Sequence, residues 1–259
     1  MMDNVIAFHG PDHKSGVTML AQSVAEHITE YCSDIKLIML CMNANRSTEY
    51  VRDVTQTVEK IKLHLDHETL KAEDVEKQCR LKDNFYMLGG IENKRKSRFF
   101  YPETAGYLLN TIKDEFDVII CDTGNDLDNG LAIGALENAF LRVAVLTQQE
   151  SMLKSFEDMK PLYSTMGLDF NLHVINKFNR RDPYDLAYIN MRLKLEQNKT
   201  VKVAFGGYSR QAEMEYKTMM AYKDESYADD INAIANHLLA GLGFPEIIKR
   251  RRSKWKSSI

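Results

Sequence analysis

Three groups of residues could do chemistry. The first is the stretch Asn4 to Ile28, NVIAFHGPDHKSGVTMLAQSVAEHI. Val5 to Phe8 form a short apolar run, as in a strand buried on both faces. His9 to Val17 carry two Gly, one Pro and polar residues, which is turn chemistry. From Thr18, Leu20, Ala21, Val24, Ala25 and Ile28 recur at helical spacing. A strand, a sharp loop and a helix start in this order aim backbone N–H groups and the positive end of a helix dipole at one point, which suits a phosphate. The second is Asp122, at the end of the run Phe116-Asp117-Val118-Ile119-Ile120-Cys121-Asp122-Thr123. Four apolar residues place its carboxylate at a strand's carboxyl end, where it can hold Mg²⁺ through water; Asp-Thr-Gly-Asn-Asp is equally strong turn chemistry. The third is Asn176, closing the run Val174-Ile175-Asn176-Lys177. On its own it reads as a polar residue closing a strand.

Measured against the phosphate-loop pattern G-x-x-x-x-G-K-[ST], Gly16 takes the second Gly and Thr18 the Mg²⁺-binding hydroxyl. Pro11 stands where the first Gly belongs, and Val17 where the phosphate-binding Lys belongs. Val cannot neutralise a phosphate oxygen, which leaves Lys14 as the cation within the loop that could substitute.

These landmarks, in this order, resemble the ParA/MinD family of ATPases across roughly residues 1–240. The family's loop is usually K-G-G-x-G-K-[ST]-T. On that alignment Asp12 replaces the signature Lys, His13 and Lys14 replace two Gly, Ser15 is the variable position, Gly16 is kept and Val17 replaces the second Lys. The Asp117–Asp122 strand is similar to the family's Walker B strand, and Val174–Lys177 to the strand whose Asn contacts adenine. The degenerate loop looks most like the TadZ/CpaE branch, which localises pilus-assembly machinery. The resemblance implies ATP or ADP with Mg²⁺ as cofactors, bound by Pro11, Asp12, His13, Lys14, Ser15, Gly16, Val17, Thr18 and Asn176, with Thr18 and Asp122 on the metal. It implies a homodimer that serves as protein partner of a localised assembly. The family's strand-end D-x-D falls on Cys41 and Asn43. Asn43 therefore stands at the switch position, where an amide can hydrogen-bond a water but cannot act as a carboxylate base. The loss of both lysines and this Asp implies weak or absent hydrolysis. Two other functions stay open: a working ATPase for DNA partition that uses Lys14, and an interaction domain that binds no nucleotide.

The elements that must position these groups alternate. Strands are expected at 35–42, 84–88, 117–122, 142–147, 171–175 and 201–205. Helices are expected at 104–112, 130–140, 150–166, 182–197, 211–223 and 226–242, with two more across 47–80. Such alternation predicts an α/β fold: one doubly wound, mainly parallel sheet with helices on both faces, spanning 1–243. Its carboxyl edge should gather Gly10–Thr18, Asn43, Asp122 and Asn176.

The composition is that of a globular protein, with 44% hydrophobic and 27% charged residues. Four Cys without a C-x-x-C pair suit free thiols in a reducing, cytoplasmic setting. The start MMDNVIAFHG has no signal-peptide pattern. Lys94, Arg95, Lys96 and Arg98 lie beside Phe99, Phe100 and Tyr101. This cluster reads as a solvated loop with aromatics tucked onto the core, a partner surface, or a nucleic-acid surface. The tail 244–259 is expected to stay off the core. Six of its residues, Lys249, Arg250, Arg251, Arg252, Lys254 and Lys256, are basic, and with Trp255 they suit an anionic membrane surface or DNA phosphate, or form a bland solvated end.

Overall fold

The computed structural model describes residues 1–248. The tail residues Lys249, Arg250, Arg251, Arg252, Lys254, Trp255 and Lys256 lie outside the described residues.

Seven strands form one sheet: β1 (Met2–His9), β2 (Leu37–Cys41), β3 (Phe85–Leu88), β4 (Val118–Asp122), β5 (Ala139–Leu146), β6 (Leu172–Phe178) and β7 (Thr200–Ala204). Their spatial order is β3-β2-β4-β1-β5-β6-β7, and every neighbouring pair is parallel. Continuous apolar runs make this possible, because alternate residues of each strand serve opposite faces. On one face Val5, Ala7, Ile38 and Leu40 meet α4 (Pro102–Ile112), α5 (Gly130–Asn138) and α6 (Glu150–Thr165). On the other, Ile6, Phe8, Leu37 and Met39 meet α1 (Val17–Tyr31) and α9 (Glu225–Gly241). Polar clamps join the last two helices: Ser23 pairs with Tyr227 at 2.8 Å and His27 Nε2 with Asn232 Oδ1 at 2.8 Å. The doubly wound parallel sheet expected from the alternation is thus the fold observed.

Several elements differ from expectation. The first helix expected after residue 47 shrinks to α2 (Lys62–Asp66), followed by α3 (Ala72–Cys79). Residues before it run extended along the sheet: Val58 N–H donates to the Gly89 carbonyl (2.7 Å) and Gly89 N–H to the Gln56 carbonyl (2.9 Å). Thr57 thereby covers the open edge beyond β3, and a helical pattern yields to edge pairing. The helix expected at 182–197 is α7 (Leu186–Leu193), opened by the Asp185 side chain on Tyr188 N–H and stopped by Lys194 in the left-handed region. The helix expected at 211–223 is α8 (Ser209–Glu215) and then a 3₁₀ turn, Met219–Ala221, because Tyr216 turns left-handed at φ 53°. In the basic loop, Phe100 is core while Phe99 and Tyr101 stay exposed, and Lys96 pairs with Glu59.

The start of the tail is a further correction. Beyond α9, Gly243 turns left-handed at φ 81°, and Phe244 N–H reaches back to the Leu239 carbonyl at 2.8 Å. This six-to-one closure ends a helix and folds the next apolar residue onto it. Phe244 packs against the core, Ile247 is buried, and its N–H donates to Asn236 Oδ1 at 2.7 Å. Ile248 is exposed. The body of the protein therefore reaches Ile247 rather than stopping at 243.

Beside the end of β1, His9, Phe156, Tyr163, Phe170 and His173 form one aromatic cluster; His9 stacks on Phe170 at 6.4 Å and meets Tyr163 edge-on at 5.8 Å. The Thr123 hydroxyl donates to the Phe8 carbonyl, so His9 Nδ1 donates to Thr123 Oγ1 at 3.0 Å and leaves a bare, buried Nε2. Burial pushes His9 down to about 4 and His173 likewise to about 4, against an ordinary 6.5. Between those values the unfolded chain takes up protons that the native chain refuses, so both residues lower stability as pH falls from about 7 to 4. Each accounts for about 3 kcal/mol at most. Urea-unfolding midpoints measured across this range should fall with pH, and His9→Asn/His173→Phe should flatten that dependence relative to wild type.

Candidate functional site

The loop between β1 and α1 is shaped by close approach. Gly16 has φ 88°, and a Cβ there would lie 2.5 Å from Asn176 Nδ2, so both backbone and space require glycine. Two donors from the end of β6 hold the loop. Asn176 Nδ2 donates to the Ser15 carbonyl (2.8 Å) and Lys177 Nζ to the Lys14 carbonyl (2.6 Å). Lys177 itself sits in the left-handed region at φ 54°. Across the sheet, the Thr18 hydroxyl donates to Asp122 Oδ2 (2.7 Å), and Gly124 N–H to Asp122 Oδ1 (3.0 Å). Asn43 Nδ2 approaches the Asp122 carbonyl at 3.5 Å. The expected gathering of Gly10–Thr18, Asn43, Asp122 and Asn176 at one carboxyl edge is what the fold produces.

The electrostatics of the two halves differ. Asp122 is fully buried, and burial pushes its carboxyl up to about 6 despite hydrogen bonds from Thr18, Gly124 and Asn43. Among the described residues no Lys or Arg forms a salt bridge with it; Glu49 adds a small repulsion. Val17, where a phosphate-binding Lys would stand, is buried apolar surface. Within the loop, Ser15 is buried and turns towards Gly10, where a Cβ would lie 2.4 Å from its Oγ. Lys14 is exposed, with φ 65°, and faces the ends of β6 and β7 with Lys177. His13 is exposed, Asp12 half-buried, and Pro11 buried, with its carbonyl accepting from Ser155 Oγ at 3.0 Å.

Asn43 is already engaged. Its Oδ1 accepts from Asn45 N–H (2.8 Å) and Ser47 Oγ (2.9 Å), so the side chain folds the turn after β2 rather than aiming at a water. Thr18 and Asp122 do fit Mg²⁺: a hydroxyl and a carboxylate side by side are hard oxygen donors, and the carboxylate lacks a counter-charge. Among the described residues no cluster of three or more His, Cys, Asp or Glu could hold a metal by itself. A triphosphate fits less well, since no loop cation points towards that pair. Two features escaped the sequence reading. Lys177 is a second cation on the loop, for which the Asn-Lys dipeptide was a signal; the inward turn of Ser15 had none.

No protein-family model and no curated protein matches the sequence. Solved structures do. A ParA family ATPase from Chlorobium tepidum superposes with TM-score 0.79 at 14% identity, over 91% of this chain and 98% of that one. The chain has the fold of the ParA and MinD ATPases. The septum site-determining protein MinD of Pyrococcus horikoshii, complexed with Mg-ADP, matches with TM-score 0.69 and 16% identity, over 92% of this chain and 98% of that one. A variant of Cyanothece McdA in complex with ATP matches with TM-score 0.68 and 12% identity, over 96% and 100% respectively.

A charged carboxylate buried without a cation costs stability. Asp122's raised value means that this cost is absent below about pH 4 and complete above about 6. Asp122→Asn should therefore raise the thermal midpoint at pH 7 in EDTA, by the equivalent of about 3 kcal/mol at most. At pH 4 the gain should vanish, which differential scanning calorimetry at the two pH values would show.

Proposed function

We propose that this chain is a ParA/MinD-like positioning or scaffold protein that binds a nucleotide and hydrolyses it slowly or not at all. It would work as a homodimer, in the manner of the TadZ/CpaE branch that localises pilus-assembly machinery. The observation that carries this reading is the isolation of Thr18 and Asp122: the metal-binding oxygens are in place, while Val17 supplies no charge and Lys14 faces away. Phosphoryl transfer depends on positive charge at the transferring group, so losing such a cation typically costs several orders of magnitude in rate. Asn43, tied to its own turn, does not replace a carboxylate beside the attacking water. When bound, Mg²⁺ would add charge neutralisation at Thr18 and Asp122. Fold neighbours bound to Mg-ADP and ATP support the choice of ligand. Phosphate release by the purified chain with ATP and Mg²⁺ should be far below about 1 s⁻¹. Turnover at ordinary ATPase rates, abolished by Lys14→Ala, would instead establish a working enzyme.

The basic tail is the proposed membrane contact. No helix among the described residues is long and apolar enough to cross a membrane. Each basic residue near an anionic surface contributes about 1 kcal/mol, and the interaction weakens with salt. Because Phe244 and Ile247 are packed, truncation after Ile248 removes the charges and leaves that packing intact. The full chain should co-sediment with phosphatidylserine vesicles at low salt and the 1–248 form should not. If truncation abolishes only DNA binding in a parallel mobility-shift assay, the DNA-partition reading is favoured.

A further inference from the structure

At the carboxyl ends of β5, β6 and β7 lies a cavity of about 750 Å³, a size that suits a small ligand. Five cations line it: Lys14, Lys177, Arg180, Arg181 and Lys202. None of the five has a salt-bridge partner among the described residues. Some other cations find carboxylates, as in Lys36 with Glu76 and Arg192 with Glu150 and Glu157, and many do not, so it is the gathering of five around one cavity that stands out. The chain as a whole is acidic, with net charge −3, so this concentration runs against its composition.

Two carboxylates, Asp182 and Asp230, share the wall; each accepts one backbone N–H, and Asp230 also feels Lys202 and Arg180 through space, which leaves Lys14, Lys177 and Arg181 without a paired carboxylate among the described residues. Asp182 Oδ1 accepts from Tyr184 N–H at 2.9 Å and Asp230 Oδ2 from Ala204 N–H at 2.8 Å. Lys177 and Lys14 repel each other across the loop, and burial and that repulsion both disfavour the Lys177 charge. Both side chains are nonetheless exposed, so solvent screens much of this repulsion, and a bound anion would relieve what remains. The cradle of the loop makes no such demand: Ser15 turns into it and Val17 is apolar. Phe205, which is exposed, also lines the cavity and offers a face on which a ring could lie, while Lys202 Nζ lies over the Phe178 ring, 5.6 Å from its centroid.

We propose that the phosphate groups of a nucleotide, or of a related phosphorylated small molecule, are held in this cavity by Lys14, Lys177 and the Arg180-Arg181 pair rather than in the loop's cradle. This rests on the nucleotide reading given above and deepens it. Phosphate charge and the Thr18–Asp122 metal pair are then kept apart, which accounts for slow hydrolysis without loss of binding. Binding needs neither Mg²⁺ nor the Thr18 hydroxyl.

Calorimetric titration of the full chain with ADP, ATP and inorganic pyrophosphate, each in EDTA and in Mg²⁺, tests this. ADP and ATP should bind in EDTA with similar affinity. Arg180→Glu/Arg181→Glu, in which both side chains are exposed and the fold is retained, should weaken binding by at least about tenfold. Lys14→Ala should do the same, while Thr18→Ala should leave the affinity within about twofold. Pyrophosphate binding as tightly as ADP marks a polyphosphate site, and weaker pyrophosphate binding marks a nucleotide site; both support the proposal. Binding that requires Mg²⁺, is lost in Thr18→Ala and survives the Arg180/Arg181 variant would overturn it while keeping the nucleotide reading. No binding of any of the three overturns both.

Discussion

The Thr18–Asp122 hydrogen bond joins the first turn of α1 to the end of β4, and the geometry of the candidate site depends on it. Asp122 is fully buried. It keeps its place because Thr18, Gly124 and the turn built by Asn43 surround it, and those contacts fix the mouths of three strands at once. A carboxylate kept there without a cation is a poor choice for stability alone, since burial disfavours its charged form. On the proposed reading it is a residue retained for a hard cation. On the far side of the loop, Asn176 and Lys177 grip the carbonyls of Ser15 and Lys14. The loop is thus stretched between a negative site under β4 and a positive one above β6.

That division gives the fold its functional character. In a phosphate loop that hydrolyses ATP, cation, metal and phosphates must meet at one point. Here Val17 leaves the metal side without a side-chain charge, and the cations gather at the ends of β6 and β7. On the proposed reading, a protein so arranged would recognise a nucleotide and change its associations without consuming it. Such behaviour suits a scaffold, whose output is where it sits and what it holds.

Much of this was legible in the sequence. The apolar runs ending at Phe8, Cys121 and Ile175 are long enough to specify buried parallel strands, and buried strands put their polar terminators on one edge. Gly16, Thr18, Asn43, Asp122 and Asn176 therefore converge as expected. The direction of Lys14 was not legible, because it depends on a left-handed backbone at the loop's tip and on Lys177 donating from another strand. The use of Asn43 was hidden for a similar reason: its acceptor is taken by Asn45 and Ser47, and local turn bonds leave no pattern that distinguishes them from a catalytic contact. The region 47–61 misled because its apolar spacing suits a helix, whereas the open edge beyond β3 calls for an extended cover. At the far end, a Gly-Phe pair after α9 was enough to fold Phe244 and Ile247 back onto the core.

The central claim is that burial governs the carboxylate of Asp122, with no salt-bridge partner among the described residues. Carbon-13 NMR of the side-chain carboxyl groups, titrated in metal-free protein with Asp122→Asn for assignment, tests it most directly. The account predicts a midpoint of about 6 for Asp122. A midpoint at or below the ordinary aspartate value of about 3.9 would show that positive charge from the protein does reach the site, and would contradict the account.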